Sequence, residues 1–567
     1  MAGFKRKQIN HTLGPEGVAP GSEQRENEPA TPGGGMTAGN HPASASISSA
    51  GSPDGGPGRH AWVIAVLVAL IGAFMAILDS SIVNVALPTM MRVFNTDTAT
   101  IEWVVTIYML ALGVVVPLSG WLGDRLGFKL LYILSLGVFT LGSLLCTLSW
   151  NVDSMIAARV VQALGGGMIM PTTMSIIYRL VPREKQGSAM GIFGMAMIVA
   201  PAIGPTLGGY LVEYVDWRWI FTINLPVGVL GVILSWFYLP GFPRREAGRL
   251  DIGGALTAAV GLFCLLLALS KGGDWGWSSE SIVLLLYTSA VSLGLFIYLE
   301  LTQENPLLDL RVFRYPTFTL GNVIVIVTSI GLFAGVFYIS FFLQVARGLG
   351  AMETGLITMP GALASGLVMP LTGWLYDRLG PRPLAVVGML WLGWTTYIFH
   401  HLDVITPTAI LYLWVILRGL GMSLAMMPAQ TAALSVVPAE LVGRASAITN
   451  IINRVSSSFG IAVLTTILNN RTAMHAAHLG SRITADSPAA NEFFRQAGLF
   501  LGGGGTAGDQ ARTLATAYLQ GVIAKMAFVQ AIDDLFIIAA LIVLVGLIPA
   551  FFLQKGSGAA RATFGGE

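Results

Sequence analysis

The sequence predicts an all-α polytopic membrane protein with two six-helix bundles, related as parallel repeats, and a two-helix insert between them. Of the 567 residues, 54% are hydrophobic and 11% are charged, whereas soluble domains carry about 25% charged residues. Apolar runs long enough to cross a bilayer recur along most of the chain. The loop GWLGDRLGFK at 120–129 returns 253 residues later as GWLYDRLGPR, which indicates two homologous halves with both loops on one side of the membrane.

Hydropathy predicts fourteen membrane-spanning helices (14 transmembrane helices), six before the insert, two within it and six after it. They are residues 62–86, 101–123, 130–149, 154–177, 187–212, 217–239, 252–270, 281–301, 318–343, 354–375, 383–401, 407–427, 443–468 and 534–553.

These spans divide the chain into five segments. Residues 1–59 form a disordered cytoplasmic tail, because they are rich in Gly, Pro and Ser and bury little apolar surface. Residues 60–240 form the N-terminal bundle, 241–310 the linker with the two inserted helices, and 311–555 the C-terminal bundle. The C-terminal bundle contains an outer loop at 469–533, interpreted as flexible because of four glycines at 502–505. Residues 556–567 form a second cytoplasmic tail.

Basic residues predict the orientation in the membrane. With the N-terminus inside, the inner short loops hold thirteen Lys or Arg residues and the outer short loops hold four. Cytoplasmic loops carry the excess of basic residues, so both termini are predicted to be cytoplasmic in a multi-pass protein of the cytoplasmic (plasma) membrane.

The repeat extends beyond the two loops. Arg159 and the following glycines return as Arg418 and its glycines, and the offsets stay within 253–259 residues. Parallel repeats of this kind are related by an axis along the membrane normal. The two halves are therefore expected to rock about a central cavity.

Four stretches resemble the motifs of one transporter family. They are LDSSIVNVALP at 78–88, the loop at 120–129, RVVQALGGG at 159–167 and GPTLGG at 204–209. In this order and on these helices they resemble the major facilitator superfamily, and within it the fourteen-helix drug:proton antiporter branch. The resemblance covers residues 60 to about 470 and implies proton-driven multidrug efflux, with a contribution to antibiotic resistance.

Asp79 is a carboxylate within the first span. A charge at membrane depth is costly, so such a residue faces water, a partner or a proton, and desolvation favours its protonated form. The functional hypothesis is a proton-coupling or substrate-linked site, and the alternative is a helix-packing residue. Arg159 cannot itself carry the proton. It holds a neighbouring carboxylate ionised, senses the protonation state of that carboxylate, or donates structurally to backbone carbonyls, and for Arg418 the structural role is favoured.

The repeated loop has the residues expected of a gate, since its glycines allow a tight turn and close helix approach. Asp124 can meet a helix N-terminus, and Arg125 or Lys129 can meet a carboxylate. We interpret the loop as a latch that holds the cytoplasmic side closed. The alternative is a loop whose charges only set orientation. The residues assigned to the gating loops are Gly120, Gly123, Asp124, Arg125, Gly127, Asp377 and Arg378.

The fifth helix is predicted to be kinked and closely packed. Pro201 and Pro205 remove backbone donors, and Gly204, Gly208 and Gly209 remove side chains. The family resemblance implies that this antiporter-motif helix seals the two halves against proton leak. Ordinary packing of small residues is the alternative.

The thirteenth helix has one polar face. Asn450, Asn453, Arg454, Ser457 and Ser458 follow helical spacing, so they line the cavity or pack against a neighbour. The carboxylates near outer helix ends are interpreted as solvated. They are Glu102, Glu213, Asp216, Asp533 and Asp534.

Several function classes find no support in the sequence. It has no GxxxxGK[ST] run, no metal-spaced Cys/His cluster and no nucleophile elbow, so an enzyme or an ATP-driven pump is not predicted. Cys146 and Cys264 lie in apolar runs and are interpreted as core residues. A net charge of +2 gives no indication of nucleic acid. The expected partners are the lipid bilayer, small amphipathic substrates and protons as the coupling ion, with no other cofactor.

Three functions remain open at this level. The first is proton-driven efflux of hydrophobic or amphipathic small molecules by alternating access. The second is dedicated export of one metabolite, lipid or siderophore, and the third is a non-transporting membrane sensor. The sequence does not decide whether a periplasmic adaptor takes part.

Overall fold

The structure is a computed structural model that describes residues 61–242, 250–303, 306–438, 440–481, 492–493, 495–496 and 508–554. Within these ranges the secondary structure is helical and no strand occurs. The predicted tails at 1–59 and 556–567, and the four glycines at 502–505, lie outside the described residues.

The helices before the insert are α1 (Ala61–Phe94), α2 (Thr98–Ile101), α3 (Trp103–Val115), α4 (Leu118–Leu126), α5 (Phe128–Thr147), α6 (Val152–Leu180), α7 (Gln186–Tyr214), α8 (Trp219–Thr222) and α9 (Asn224–Tyr238). The insert consists of α10 (Ile252–Trp275) and α11 (Glu280–Thr302). The later helices are α12 (Pro316–Val345), α13 (Ala351–Leu379), α14 (Pro381–Ile398), α15 (Thr408–Ser435), α16 (Val442–Ser481), α17 (Gly508–Val545) and α18 (Leu547–Phe552).

Each repeated loop turns sharply at a glycine. Gly127 has φ +85° and Gly380 has φ +82°, a conformation that glycine adopts without steric cost. The next residue starts a helix in both cases, α5 at Phe128 and α14 at Pro381. The two loops therefore repeat in backbone geometry as well as in sequence.

Thirteen helices in the described ranges are long and apolar enough to cross a membrane. The predicted span that is not among them corresponds to α14. This helix has 18 residues and begins Pro381, Arg382, Pro383, which lowers its mean hydropathy. Because α14 packs along α15 and α17, the arrangement stays compatible with fourteen helices.

The two halves meet along two seams. α7 packs along α13, and α16 packs against α4 and α6. The insert is a helical hairpin in which α10 packs against α11, and α10 also contacts α3 and α16. The insert therefore contacts both halves at the second seam.

The predicted outer loop at 469–533 is partly helical, which corrects the sequence-based boundaries. α16 continues to Ser481, and α17 begins at Gly508 and packs against α16. Hydropathy detects only the apolar part of each helix. The residues just after 468 contain no Pro and no Gly before Gly480, so nothing in the chain ends the helix there.

Candidate functional site

A buried polar cluster lies among helices of the first half. Its centre is Asp79 on α1, which is 1% exposed. Its Oδ2 accepts a hydrogen bond from Nη1 of Arg159 at 2.6 Å. Its Oδ1 accepts from Nε2 of Gln162 at 2.8 Å and from Nδ2 of Asn224 at 2.9 Å. Three donors, one of which is the cation Arg159, thus compensate the buried carboxylate, as a charge in this setting requires.

Arg159 on α6 is held by several groups besides Asp79. Its Nη1 also donates to Oε1 of Gln162 at 2.6 Å, and its Nε donates to the carbonyl oxygen of Val104 at 3.2 Å. Its guanidinium carbon lies 3.8 Å from the ring centre of Tyr108, a cation–π distance. The two roles left open by the sequence, ionic partner and backbone donor, occur together.

Gln162, Asn224 and Ser143 complete the cluster and are not among the residues predicted from the sequence. Ser143 Oγ accepts from Nε2 of Gln162 at 2.8 Å. A signal for Gln162 existed, because it lies in RVVQALGGG three residues after Arg159 and so shares its helix face. Asn224 starts α9 and Ser143 lies in α5, outside every motif, so only the tertiary fold brings them to the site.

The second half has no equivalent ion pair among its described residues. Arg418 is the repeat mate of Arg159 and is buried, but its guanidinium donates to the main-chain carbonyl of Gly331. Residues 332–338, which lie 253–259 positions after Asp79, include no carboxylate. The two halves therefore share the arginine and differ in its partner.

The first-helix and fifth-helix motifs contact each other at Ser81. Pro205 has no N–H to give to the carbonyl of Pro201, four residues earlier in α7. Ser81 Oγ donates to that carbonyl at 3.0 Å. Gly204 leaves room for this contact, since a Cβ there would overlap the Ser81 side chain. The hydroxyl of α1 thus satisfies an acceptor freed by the proline of α7.

Ser81→Ala should lower the stability by about 1 kcal/mol, because it leaves the Pro201 carbonyl without this partner. Ser80→Ala is the matched control, since Ser80 Oγ donates to the Ile77 carbonyl of its own helix at 2.7 Å. Thermal unfolding in one detergent should give a lower Tm for Ser81→Ala than for Ser80→Ala. Equal values would show that the bond between the motifs contributes nothing.

The close contact between α7 and α13 is made by the first turns of α7. A Cβ on Gly187 would lie 2.5 Å from the carbonyl oxygen of Gly373, and a Cβ on Gly191 would lie 2.6 Å from that of Met369. The absence of side chains therefore brings the two backbones together across the halves.

The antiporter-motif glycines have other neighbours. A Cβ on Gly208 would lie 2.8 Å from Cγ1 of Ile82 on α1, whereas a Cβ on Gly209 would meet no atom within 4 Å. Gly204 and Gly208 thus pack within the first half, and the sealing role implied for this helix stays a prediction. The tight contact with the second half lies nearer the start of α7.

Asp377 joins the halves at the end of the molecule that holds both repeated loops, called here the motif end. Its carboxylate accepts the N–H of Gly187 at 2.9 Å, the N–H of Ser188 at 3.0 Å and the hydroxyl of Ser188 at 2.7 Å. These groups are the first donors of α7, where a negative charge is favourable. The second loop copy thereby caps a helix of the other half.

Asp124 of the first loop copy joins three helices at the motif end. It lies 3.7 Å from Nη2 of Arg179 on α6 and 4.0 Å from Nε of Arg444 on α16. Gly120 permits this approach, because a Cβ there would lie 3.3 Å from Cα of Arg444. In both loop copies the aspartate therefore binds a group of the other half, Asp377 at the start of α7 and Asp124 at Arg444.

The prediction that Arg125 or Lys129 meets a carboxylate does not hold among the described residues. Arg125 lies over the ring of Trp121 at 5.0 Å, and Arg378 repeats the contact on Trp374 at 3.9 Å. Residues four apart share a helix face, so each arginine packs on its own loop. Lys129 donates to the carbonyl of Trp236 at 2.7 Å.

Asp377→Asn should lower the transport rate roughly tenfold, since each charge-assisted hydrogen bond stabilises the closed motif end by about 1.5–3 kcal/mol. Substrate affinity should stay unchanged. Arg125→Ala is the control, because its side chain contacts its own helix. Rates in reconstituted vesicles at matched protein content test this. A slow Arg125→Ala protein beside a normal Asp377→Asn protein would contradict the assignment of the latch.

The predicted polar face of α16 turns towards the first half. Ser446 Oγ donates to the carbonyl of Pro171 at 3.2 Å, and Asn450 Nδ2 lies 3.3 Å from Sδ of Met174. Asn453 and Arg454 follow on the helix and are partly exposed.

Two of the carboxylates interpreted as solvated are partly exposed and also form ion pairs. Glu102 lies 2.6 Å from Nζ of Lys271, which ties the insert to the first half. Asp534 lies 3.5 Å from Nη1 of Arg471 and forms a hydrogen bond with Nε2 of His475 at 2.9 Å, which ties α17 to α16. Glu213 is exposed. Lys271 is itself buried, so it needs a counter-charge.

Two helical halves that pack along α7 and α13 and along α16, with a buried ion pair inside one of them, are typical of a two-bundle membrane transporter. The chain belongs to the Major Facilitator Superfamily, whose family model matches residues 69–461.

Relatives and solved structures agree with this family. The chain is 35% identical to the uncharacterized MFS-type transporter YhcA of Bacillus subtilis, over 86% of this chain and 92% of YhcA. It is 32% identical to the lincomycin resistance protein LmrB of Listeria monocytogenes, over 70% of this chain and 85% of LmrB. The human organic anion transporter MFSD10 matches with TM-score 0.55 at 12% identity, over 86% of this chain and 99% of that one. At that identity the likeness shows the fold alone.

Proposed function

We propose that this transporter exports hydrophobic or amphipathic small molecules, drugs among them, across the cytoplasmic membrane in exchange for protons. The observation that carries the proposal is the Asp79–Arg159 pair, a protonatable group buried in one half. Proton binding to Asp79 would remove the charge that balances Arg159. The interactions by which Arg159 holds α1, α3 and α6 together would then weaken.

A short chain of contacts connects this site to the contact between the halves. Asp79 lies two residues before Ser81, and Ser81 donates to Pro201 of α7. The same α7 begins at the contact of Gly187 and Ser188 with Asp377. In the proposed mechanism, a shift of α1 on protonation moves α7 and weakens the contact with α13. The motif end then opens, which is the alternating-access step.

The positive-inside count supports a cytoplasmic motif end and cytoplasmic termini. In that orientation the closed motif end corresponds to a state that faces outward. Inward proton flow then drives outward export, with about 2.3 kcal/mol available for each charge per 100 mV. The printed name of LmrB, a lincomycin resistance protein, supports export of a drug-like molecule.

Everted membrane vesicles with an imposed pH gradient, acidic inside, test the proposal. A panel of fluorescent amphipathic dyes should accumulate inside the vesicles and leave when an uncoupler collapses the gradient. Uptake of a single compound from a broad panel would favour the dedicated exporter. Uptake that persists without the gradient would contradict proton coupling.

A further inference from the structure

Arg454 on α16 is a cation without a protein partner among the described residues. Its guanidinium forms no ion pair or hydrogen bond there, and the side chain is partly exposed. An arginine within a membrane-spanning helix is costly unless water or an anion solvates it. Arg454 therefore requires an aqueous or anionic surrounding.

The neighbours of Arg454 place it at the boundary between the halves. Ser446, two turns earlier, donates to the carbonyl of Pro171 on α6, and α16 packs against α6 along this stretch. The adjacent Val455 packs on the cluster of Leu110 and Leu266, so α10 covers that side of α16. The insert thus screens this part of the helix from lipid.

The charges of the helices at this boundary do not cancel. Among the described residues, the central turns of α1, α3, α6, α7, α12, α13, α15 and α16 carry one carboxylate, Asp79, and three arginines. Asp79 neutralises Arg159, and Arg418 is bonded to a main-chain carbonyl. Arg454 is left at this boundary as a partly exposed charge without an ionic partner among the described residues.

Asn453 adds amide donors beside this charge. In the described chain its side-chain amide makes no hydrogen bond, while its main-chain carbonyl accepts one from Ser457 at 2.6 Å. A guanidinium matches a carboxylate or sulfonate through two parallel hydrogen bonds. The neighbouring amide can satisfy the remaining lone pairs of such an acid.

We infer that Arg454, assisted by Asn453, binds the acidic group of an amphipathic substrate between the halves. The preferred substrate class is then the organic acid, a carboxylate or sulfonate on an apolar body. This inference rests on the proposed export function and specifies that the exported substrate carries a negative charge.

Equilibrium binding to the purified full chain in lipid nanodiscs tests the inference without relying on transport. The probes are pyrenebutyrate and pyrenebutyl-trimethylammonium, which share the ring and spacer and carry opposite charges. The parent protein should bind the acid more tightly. Arg454→Gln should weaken acid binding roughly tenfold or more, a loss of about 1.4 kcal/mol, and leave the cation unaffected or bound more tightly.

Two further variants separate charge from structure. Arg454→Lys should keep part of the preference for the acid, because it retains the charge and loses the fork geometry. Arg471→Gln is the matched control on the same helix, since Arg471 already has a partner 3.5 Å away in Asp534. It should bind both probes like the parent protein.

Equal binding of the two probes by the parent, or unchanged acid binding in Arg454→Gln, would overturn the inference. Acid binding that depends on Arg454 in a protein without pH-driven uptake would uphold it and reject proton-coupled export. The two proposals therefore fail by different measurements.

Discussion

We expect Asp79→Asn to abolish uptake driven by a pH gradient. Asparagine keeps the size of the side chain and one oxygen acceptor for Arg159, but it cannot gain or lose a proton near neutral pH. The protonation step that weakens the contact between α1 and α6 is then absent. Dye accumulation in everted vesicles should fall to the level of membranes without the transporter.

Glu213→Gln is the matched control, because it removes an exposed carboxylate at the far end of α7. It should transport at the parent rate. Continued accumulation by Asp79→Asn at normal expression would show that Asp79 is not the coupling site.

The stability of Asp79→Asn needs its own measurement, since the variant leaves Arg159 buried without a counter-ion. Breaking a buried pair in this way costs about 3–5 kcal/mol. The double variant Asp79→Asn/Arg159→Gln should regain much of that stability and remain inactive. A double-mutant cycle on Tm, together with transport, therefore separates a folding defect from a coupling defect.

The second large effect is expected at the contact of α7 with α13. Gly373→Ala places a Cβ against the carbonyl of Gly187 in the opposite helix. Overpacking of this kind costs about 1–3 kcal/mol, which corresponds to a roughly 5- to 150-fold shift away from the closed motif end. Because the cycle requires closure of this end, transport should fall by at least about fivefold.

Gly209→Ala is the control for this substitution. It adds the same methyl group to α7 at a position where a Cβ meets no atom within 4 Å. In a background without Cys146 and Cys264, a single cysteine at Ser188 should react faster with a thiol reagent in Gly373→Ala. Unchanged reactivity and normal transport would show that the contact does not limit closure.

The sequence by itself determined the architecture and the two central charges. Apolar runs and helical periodicity are local, so they predict helices without knowledge of their neighbours. The repeated loops, with Gly127 and Gly380 at the same point, indicated two related halves because a tight turn imposes a local backbone requirement. Asp79 and Arg159 were identifiable one at a time, because any charge inside an apolar run demands compensation.

Only the tertiary structure decided which groups provide that compensation. Asp79 and Asn224 are 145 residues apart, and no local pattern links them. The same holds for Asp377 and Gly187, which meet across the halves, while Arg125 turned out to pack on its own loop. The partner of α16 beyond its apolar part, α17, was likewise visible only in three dimensions. Local patterns show which charged and polar groups of a segment require a partner. The identity of that partner depends on packing between segments distant in the chain.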